Sequence, residues 1–161
     1  MSRRTHPLLL LALVAAALTP TAQAADERLL AAARAAQPAV IEALRDMVAI
    51  ESGTMDAPGL ARMADDVEKR LKALGAAVER RKATVGHSEV LIARFTGTGK
   101  RKLMLQGHMD TVYWPGTLKT QPYKEDGNRL YGPGIADDKG GLAVMMHAVA
   151  LLHASGWKDY A

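Results

Sequence analysis

Apolar residues recur at helical spacing in two stretches, give way to short strand-like runs, and return to helical spacing near the C-terminus. A chain carrying both periods has to pack helices against sheet. Val40, Ile41, Leu44, Met47 and Val48 make the first helical stripe, and Pro38, which has no N–H to leave unpaired, is placed to open that helix. Glu51-Ser52-Gly53-Thr54 breaks it. A second helix is predicted over residues 58–74, with Leu60, Met63, Val67, Leu71 and Leu74 on one side and Gly75 as its stop. Asp65, Asp66, Glu68, Lys69, Arg70 and Lys72 fall on the other side and read as a solvated face.

Three strand signals follow. The one at residues 77–81 is short, whereas those at 89–95 and 102–106 are strongly apolar. Between the last two, Thr96-Gly97-Thr98-Gly99-Lys100-Arg101 reads as a hairpin tip; the spacing of a phosphate loop is absent. A second hairpin is expected over residues 123–131 around Asp126-Gly127-Asn128. Leu142, Met145, Met146, Val149 and Leu152 then mark a helix over residues 142–154, ended by Gly156. The order predicts an α/β sandwich with a central mixed sheet. After this helix comes Trp157-Lys158-Asp159-Tyr160-Ala161, where a further strand is expected, so the sequence reads as part of a longer domain.

The first residues read as an export signal. Arg3 and Arg4 give a positive head, residues 7–18 an apolar run, and Ala22-Gln23-Ala24 a small-residue cleavage site. The run is about half of the roughly 20 apolar residues that a membrane span needs. Removal of residues 1–24 would leave 25–161 as a mature segment in the periplasm or outside the cell. The net charge of +4 is small and dispersed, which argues against nucleic acid or an anionic membrane as partner. The absence of cysteine excludes disulfides, thiolate catalysis and cysteine-held zinc, so a metal here must be held by His and carboxylates.

Two clusters carry chemistry. Directly after the apolar run comes Gly107-His108-Met109-Asp110-Thr111-Val112. In extended chain His108 and Asp110 project to one side, at the strand end where open α/β sheets place ligands. Either both bind a metal, or His108 binds it and Asp110 orients the ring from behind. The second cluster is Gly132-Pro133-Gly134-Ile135-Ala136-Asp137-Asp138-Lys139-Gly140-Gly141, running straight into a helix. Its glycines permit sharp turns, and one of its two adjacent carboxylates is free to serve a metal. Its plainer reading is a turn with Asp138 as a helix N-cap. Lys139, Gly140 and Gly141 read as the close-packed start of the helix. Tyr113-Trp114-Pro115 lines a substrate entrance or packs its own loop. His147 and His153 read as packing or surface, His87 lies in a turn, and no serine has a nucleophile-elbow context.

Together, His108-Met109-Asp110-Thr111-Val112-Tyr113 and Gly132-Pro133-Gly134 with Ile135-Ala136-Asp137-Asp138-Lys139-Gly140-Gly141 resemble the dinuclear-zinc exopeptidase family. That family includes carboxypeptidase G (glutamate carboxypeptidase), acetylornithine deacetylase, succinyl-diaminopimelate desuccinylase and the aminoacylases. The Gly-Pro-Gly is most similar to the glutamate carboxypeptidase branch, since other members more often have Gly-Arg-Gly. The resemblance implies a three-layer α/β/α sandwich holding two zinc ions, with cobalt or manganese as substitutes. It makes His108 a ligand of one zinc and Asp137 a bridge between both, across a cis bond to Asp138. Asp110 becomes the catalytic residue that holds and polarises the His108 ring.

The general base (one of an adjacent Glu-Glu pair), the remaining ligands and a last His are expected beyond residue 161, together with a smaller dimerisation domain that makes the complete protein a homodimer. The implied reaction is cleavage of the amide of a C-terminal glutamate or a related residue from a small peptide or N-acyl amino acid. An N-acyl-amino-acid deacylase, or a non-catalytic remnant of the family, are the alternatives, and the 161 residues alone are expected to be inactive.

Overall fold

The computed structural model describes residues 26–86 and 88–161. The expected export signal, His6 and His87 lie outside the described residues. No helix among the described residues is long and apolar enough to cross a membrane.

Helix α1 spans Glu27–Val48 with Pro38 inside it. Asp26 starts the helix rather than Pro38: its Oδ1 accepts the Arg28 N–H at 2.9 Å and the Leu29 N–H at 3.2 Å. The alanine-rich turns that follow favour helix strongly enough to carry it through a proline. Only the second half packs, burying Ala43, Leu44, Met47 and Val48.

Helix α2 spans Ala57–Ala73, capped by Asp56 onto the Gly59 N–H at 3.1 Å, with a proline in its first turn. Gly75, at φ 89°, turns the chain out of the helix. The predicted stripe buries Leu60, Met63 and Val67. The charged side is not simply solvated. Arg70 meets Asp66 at 2.6 Å and Asp46 of α1 at 3.2 Å, while Arg80 meets Asp65 at 2.8 Å and Glu68 and Glu89 at 3.3 Å.

Strands β1 (Ala77–Lys82) and β2 (Glu89–Arg94) pair antiparallel, from Ala77 opposite Arg94 to Lys82 opposite Glu89. The Ala83 N–H donates to Ser88 O at 3.0 Å beyond the last paired residues of this hairpin. The turn expected at residues 96–101 is therefore not a hairpin tip. That segment pairs instead with the C-terminal residues: Thr98 N–H donates to Lys158 O and Gly99 N–H to Tyr160 O, both at 2.8 Å. Residues 102–106, expected as a strand, form no ladder with any described strand, and Leu103, Met104 and Leu105 stand open to solvent. An apolar run becomes a strand only when another strand pairs with it.

The second expected hairpin is present. Strands β3 (Lys124–Asp126) and β4 (Arg129–Tyr131) pair antiparallel around Gly127 at φ 60°. An ion pair from Glu125 to Arg45 fastens it to α1. Helix α3 spans Gly140–Ala154 and packs against α1, burying Leu142, Ala143 and Met146. Leu44, Met47, Val48, Met63, Val67, Leu142, Ala143 and Met146 make one core in which methionines take the place of the scarce aromatics. Helices and strands are thus mixed as expected. The described strands form two two-stranded antiparallel sheets rather than one central mixed sheet.

Candidate metal centre

The segment between α1 and α2, read from sequence as a mere break, positions the first cluster. Gly53 pairs in parallel with Thr111: Thr111 N–H donates to Ser52 O at 2.8 Å and Thr54 N–H to Thr111 O at 2.9 Å. A Cβ on Gly53 would overlap the Tyr113 carbonyl, so this approach requires glycine. The buried Ser52 hydroxyl donates to Met109 O at 2.8 Å. Glu51 accepts the N–H groups of Gly116 at 2.7 Å and Leu118 at 2.8 Å, which anchors the loop after Val112. Those two hydrogen bonds, Gly116 first, hold the Glu51 carboxyl below its ordinary pKa.

His108 and Asp110 do lie on one side of this segment. The ring Nδ1 is 3.1 Å from both the Asp110 carbonyl oxygen and its Oδ1. The other carboxylate oxygen, Oδ2, accepts the Thr54 hydroxyl at 2.7 Å.

The second cluster reaches the first through a tight turn. Gly134 sits at φ 76°, where a Cβ would lie 2.5 Å from the Thr111 methyl. The Asp137–Asp138 peptide bond is cis, as the resemblance implied. Asp137 Oδ1 comes to 2.8 Å from His108 Nε2. Asp138 does not cap α3, whose preceding residue, Lys139, makes no side-chain cap hydrogen bond. The Asp138 carboxylate lies against Gly107 and Gly141, two places where a Cβ would crowd it.

Lys139 is 1% exposed, and its Nζ donates to Ile50 O at 2.7 Å. Burial pushes its pKa down to about 8, against the opposing charge of Glu51. The close-packed start of the helix is therefore also a tether to the 50–54 segment. Sequence reading missed Glu51, Ser52 and Thr54 as site residues; their signal was a run of polar side chains concentrated in one helix break.

His108 has one nitrogen held from behind and the other facing a carboxylate, which is the donor chemistry of a His/Asp metal site. With burial pulling down and hydrogen bonds to Asp137 and Asp110 pulling up, its pKa is raised. The donor set fits zinc. Two donors do not complete it, because a catalytic zinc takes three protein ligands, and the described residues hold no cluster of three or more. His147 and His153 lie apart from this centre, bonded to Ala143 O at 2.9 Å and to the Tyr160 hydroxyl at 2.7 Å. Beside Asp137 a cleft of about 280 Å³ is lined by Val112, Tyr113, Leu130, Tyr131 and Ile135. Trp114 and Pro115 face a different, smaller pocket near Thr54.

The model of the peptidase family M20/M25/M40 matches residues 104–160, which contain both clusters. Carboxypeptidase G2 of Pseudomonas sp. (strain RS-16) is 44% identical over 160 residues, 98% of this chain and 38% of that protein. An acetylornithine deacetylase of Vibrio campbellii is 34% identical over 70% of this chain and 31% of its own length. A putative succinyl-diaminopimelate desuccinylase of Mycobacterium tuberculosis is 35% identical over 57% of this chain and 24% of its own length. The chain thus spans less than half the length of these relatives. The chain is thus similar to the peptidase family M20/M25/M40, over residues 104–160 by the family model and over 98% of its length by the likeness to carboxypeptidase G2.

Proposed function

We propose that this sequence belongs to a zinc-dependent hydrolase that cleaves the amide bond of a C-terminal glutamate or related residue. The observation that carries the reading is His108 Nε2 facing Asp137 Oδ1 at 2.8 Å, with Asp110 behind the ring. The likeness to carboxypeptidase G2 over nearly the whole chain supports the substrate class. In this reading His108 Nε2 would hold one zinc ion, Asp137 would serve both ions, and Asp110 would keep the ring's other nitrogen protonated. Zinc, when bound, supplies charge that polarises a carbonyl and acidifies water. Cobalt or manganese fit the same donors.

The remaining ligands and the general base belong to the parts of the relatives' length that this chain does not span. The proposal extends to a three-layer α/β/α domain, a homodimer, and export to the periplasm or medium under the signal at residues 1–24. Cleavage of an N-acyl amino acid is the second reading, favoured by the likeness to an acetylornithine deacetylase.

Zinc titration tests the metal centre. The 161-residue chain should bind zinc weakly through two donors, without hydrolysing glutamyl amides, and His108→Ala and Asp137→Ala should each abolish that binding. Undiminished zinc affinity in both variants would overturn the reading, as would a full-length form whose hydrolysis survives exhaustive chelation.

A further inference from the structure

The proposed metal centre depends on a ring held in one orientation and one tautomer, and the structure shows a hydroxyl behind the group that holds it. Thr54 Oγ1 lies 2.7 Å from Asp110 Oδ2 and 3.1 Å from Thr111 O. A hydroxyl has a single proton to give. Thr111 O already accepts the Thr54 backbone N–H at 2.9 Å, and the carboxylate is closer and charged, so the proton goes to Asp110. The Asp110 carboxylate is thereby pinned at one oxygen by Thr54, leaving the other, Oδ1, turned to His108 Nδ1 at 3.1 Å.

Thr54 itself is held by its backbone N–H, which donates to Thr111 O at 2.9 Å in the parallel bridge between Gly53 and Thr111. Its position is therefore set by backbone, not by a mobile side chain.

His108 needs this support because its two nitrogens face competing acceptors. Nδ1 faces Asp110 and Nε2 faces Asp137 Oδ1 at 2.8 Å. A neutral imidazole has one N–H, so whichever carboxylate is better placed takes it. If Asp137 took it, the Nε2 lone pair that a metal requires would be lost.

We propose that Thr54 is a positioning residue that fixes the His108 tautomer through Asp110. The proposal rests on the metal-centre reading for its functional meaning, but its physical content is testable without metal or activity. The chain is labelled with nitrogen-15 at histidine, and the ring nitrogens are read by NMR at a pH where the rings are neutral. The wild type supplies the reference ratio of Nδ1–H to Nε2–H for His108, whose Nε2 lies 2.8 Å from Asp137 and Nδ1 3.1 Å from Asp110. Thr54→Val and Thr54→Ala should each lower the ratio of Nδ1–H to Nε2–H by about three- to tenfold, the worth of one ordinary hydrogen bond felt through Asp110. Thr54→Ser, which keeps the hydroxyl, should restore it.

His147 and His153, each bonded elsewhere in the fold, report in the same spectra that a variant is folded. An unchanged His108 ratio in folded Thr54→Val or Thr54→Ala overturns the proposal, as does a Thr54→Ser ratio that falls as far as theirs. Zinc is added last. If zinc leaves the wild-type His108 Nε2 signal unmoved, the metal-centre reading fails, while the tautomer result stands or falls on its own.

Discussion

The Lys139 ammonium donates to the carbonyl oxygen of Ile50 at 2.7 Å, joining the turn that carries Asp137 to the segment that carries Thr54. A lysine with 1% exposure has exchanged its hydration for one hydrogen bond and a distant carboxylate. The bond ties the turn that carries Asp137 to the segment whose Thr54 holds Asp110 behind His108.

Truncating this tether should cost more than its hydrogen bond alone. Lys139→Ala leaves the Ile50 carbonyl without its partner and empties the space its methylenes fill beside Gly134, for a loss of roughly 2–4 kcal/mol. Lys139→Met keeps the volume and removes a buried charge, so it should lose less. Urea unfolding of the three proteins checks the order; equal stability of Lys139→Ala and wild type would remove the tether's role.

Glu51 makes stability depend on acid. Hydrogen bonds from Gly116 and Leu118 lower its folded pKa below 4.5. A carboxyl with a depressed folded pKa stabilises the fold fully above its unfolded value and ceases to as pH falls through the folded one. Glu51→Gln should therefore melt below wild type at neutral pH, and the gap should close as the pH drops through the acid range below 4.5. Thermal melts across pH test this, and a gap that is constant or widens in acid contradicts it.

The parallel bridge demands glycine at position 53. Gly53→Ala drives a Cβ into the Tyr113 carbonyl, backbone against backbone, so the two segments must part. The expected loss is about 2 kcal/mol, of the order measured for overpacked sites. Hydrogen exchange should show the amides of Thr54 and Thr111 opening first, since both bonds cross that contact. Protection unchanged at these two amides would mean that the bridge tolerates the methyl.

Crowding the acidic turn should weaken metal binding without touching a donor. Gly141→Ala places a Cβ against the Asp138 carboxylate, which must shift and carry Asp137 with it. Zinc affinity by calorimetry should fall about 10-fold, the lower end of what metal sites lose when groups behind the ligands are disturbed. Unaltered affinity would show that Asp137 is placed independently of its neighbour.

The helical stripes of α1, α2 and α3, the Gly75 and Gly156 stops and the hairpin at Gly127 were legible because each is decided within a few residues. The start of α1 lies at the Asp26 cap and not at Pro38, because the cap and the alanine-rich turns after it carry the helix through the proline. His108 and Asp110 share a side because alternation in extended chain puts them there. The bond from Thr54 to Asp110 spans more than fifty positions, and nothing local announces it.

Sequence alone therefore determined the helical stripes, the glycine stops, the hairpin at Gly127, the donor types available to a metal and the family resemblance. Tertiary structure decided which hairpin closes, what residues 96–101 pair with, and that Asp137 meets His108. It also made the break at residues 50–54 the support of the site. The reason is physical: capping and periodicity are satisfied by near neighbours, whereas a strand edge, a buried ammonium or a carboxylate oxygen is satisfied by whatever the fold brings to it. Residues 102–106 show the difference, having the composition of a strand and no described strand beside them.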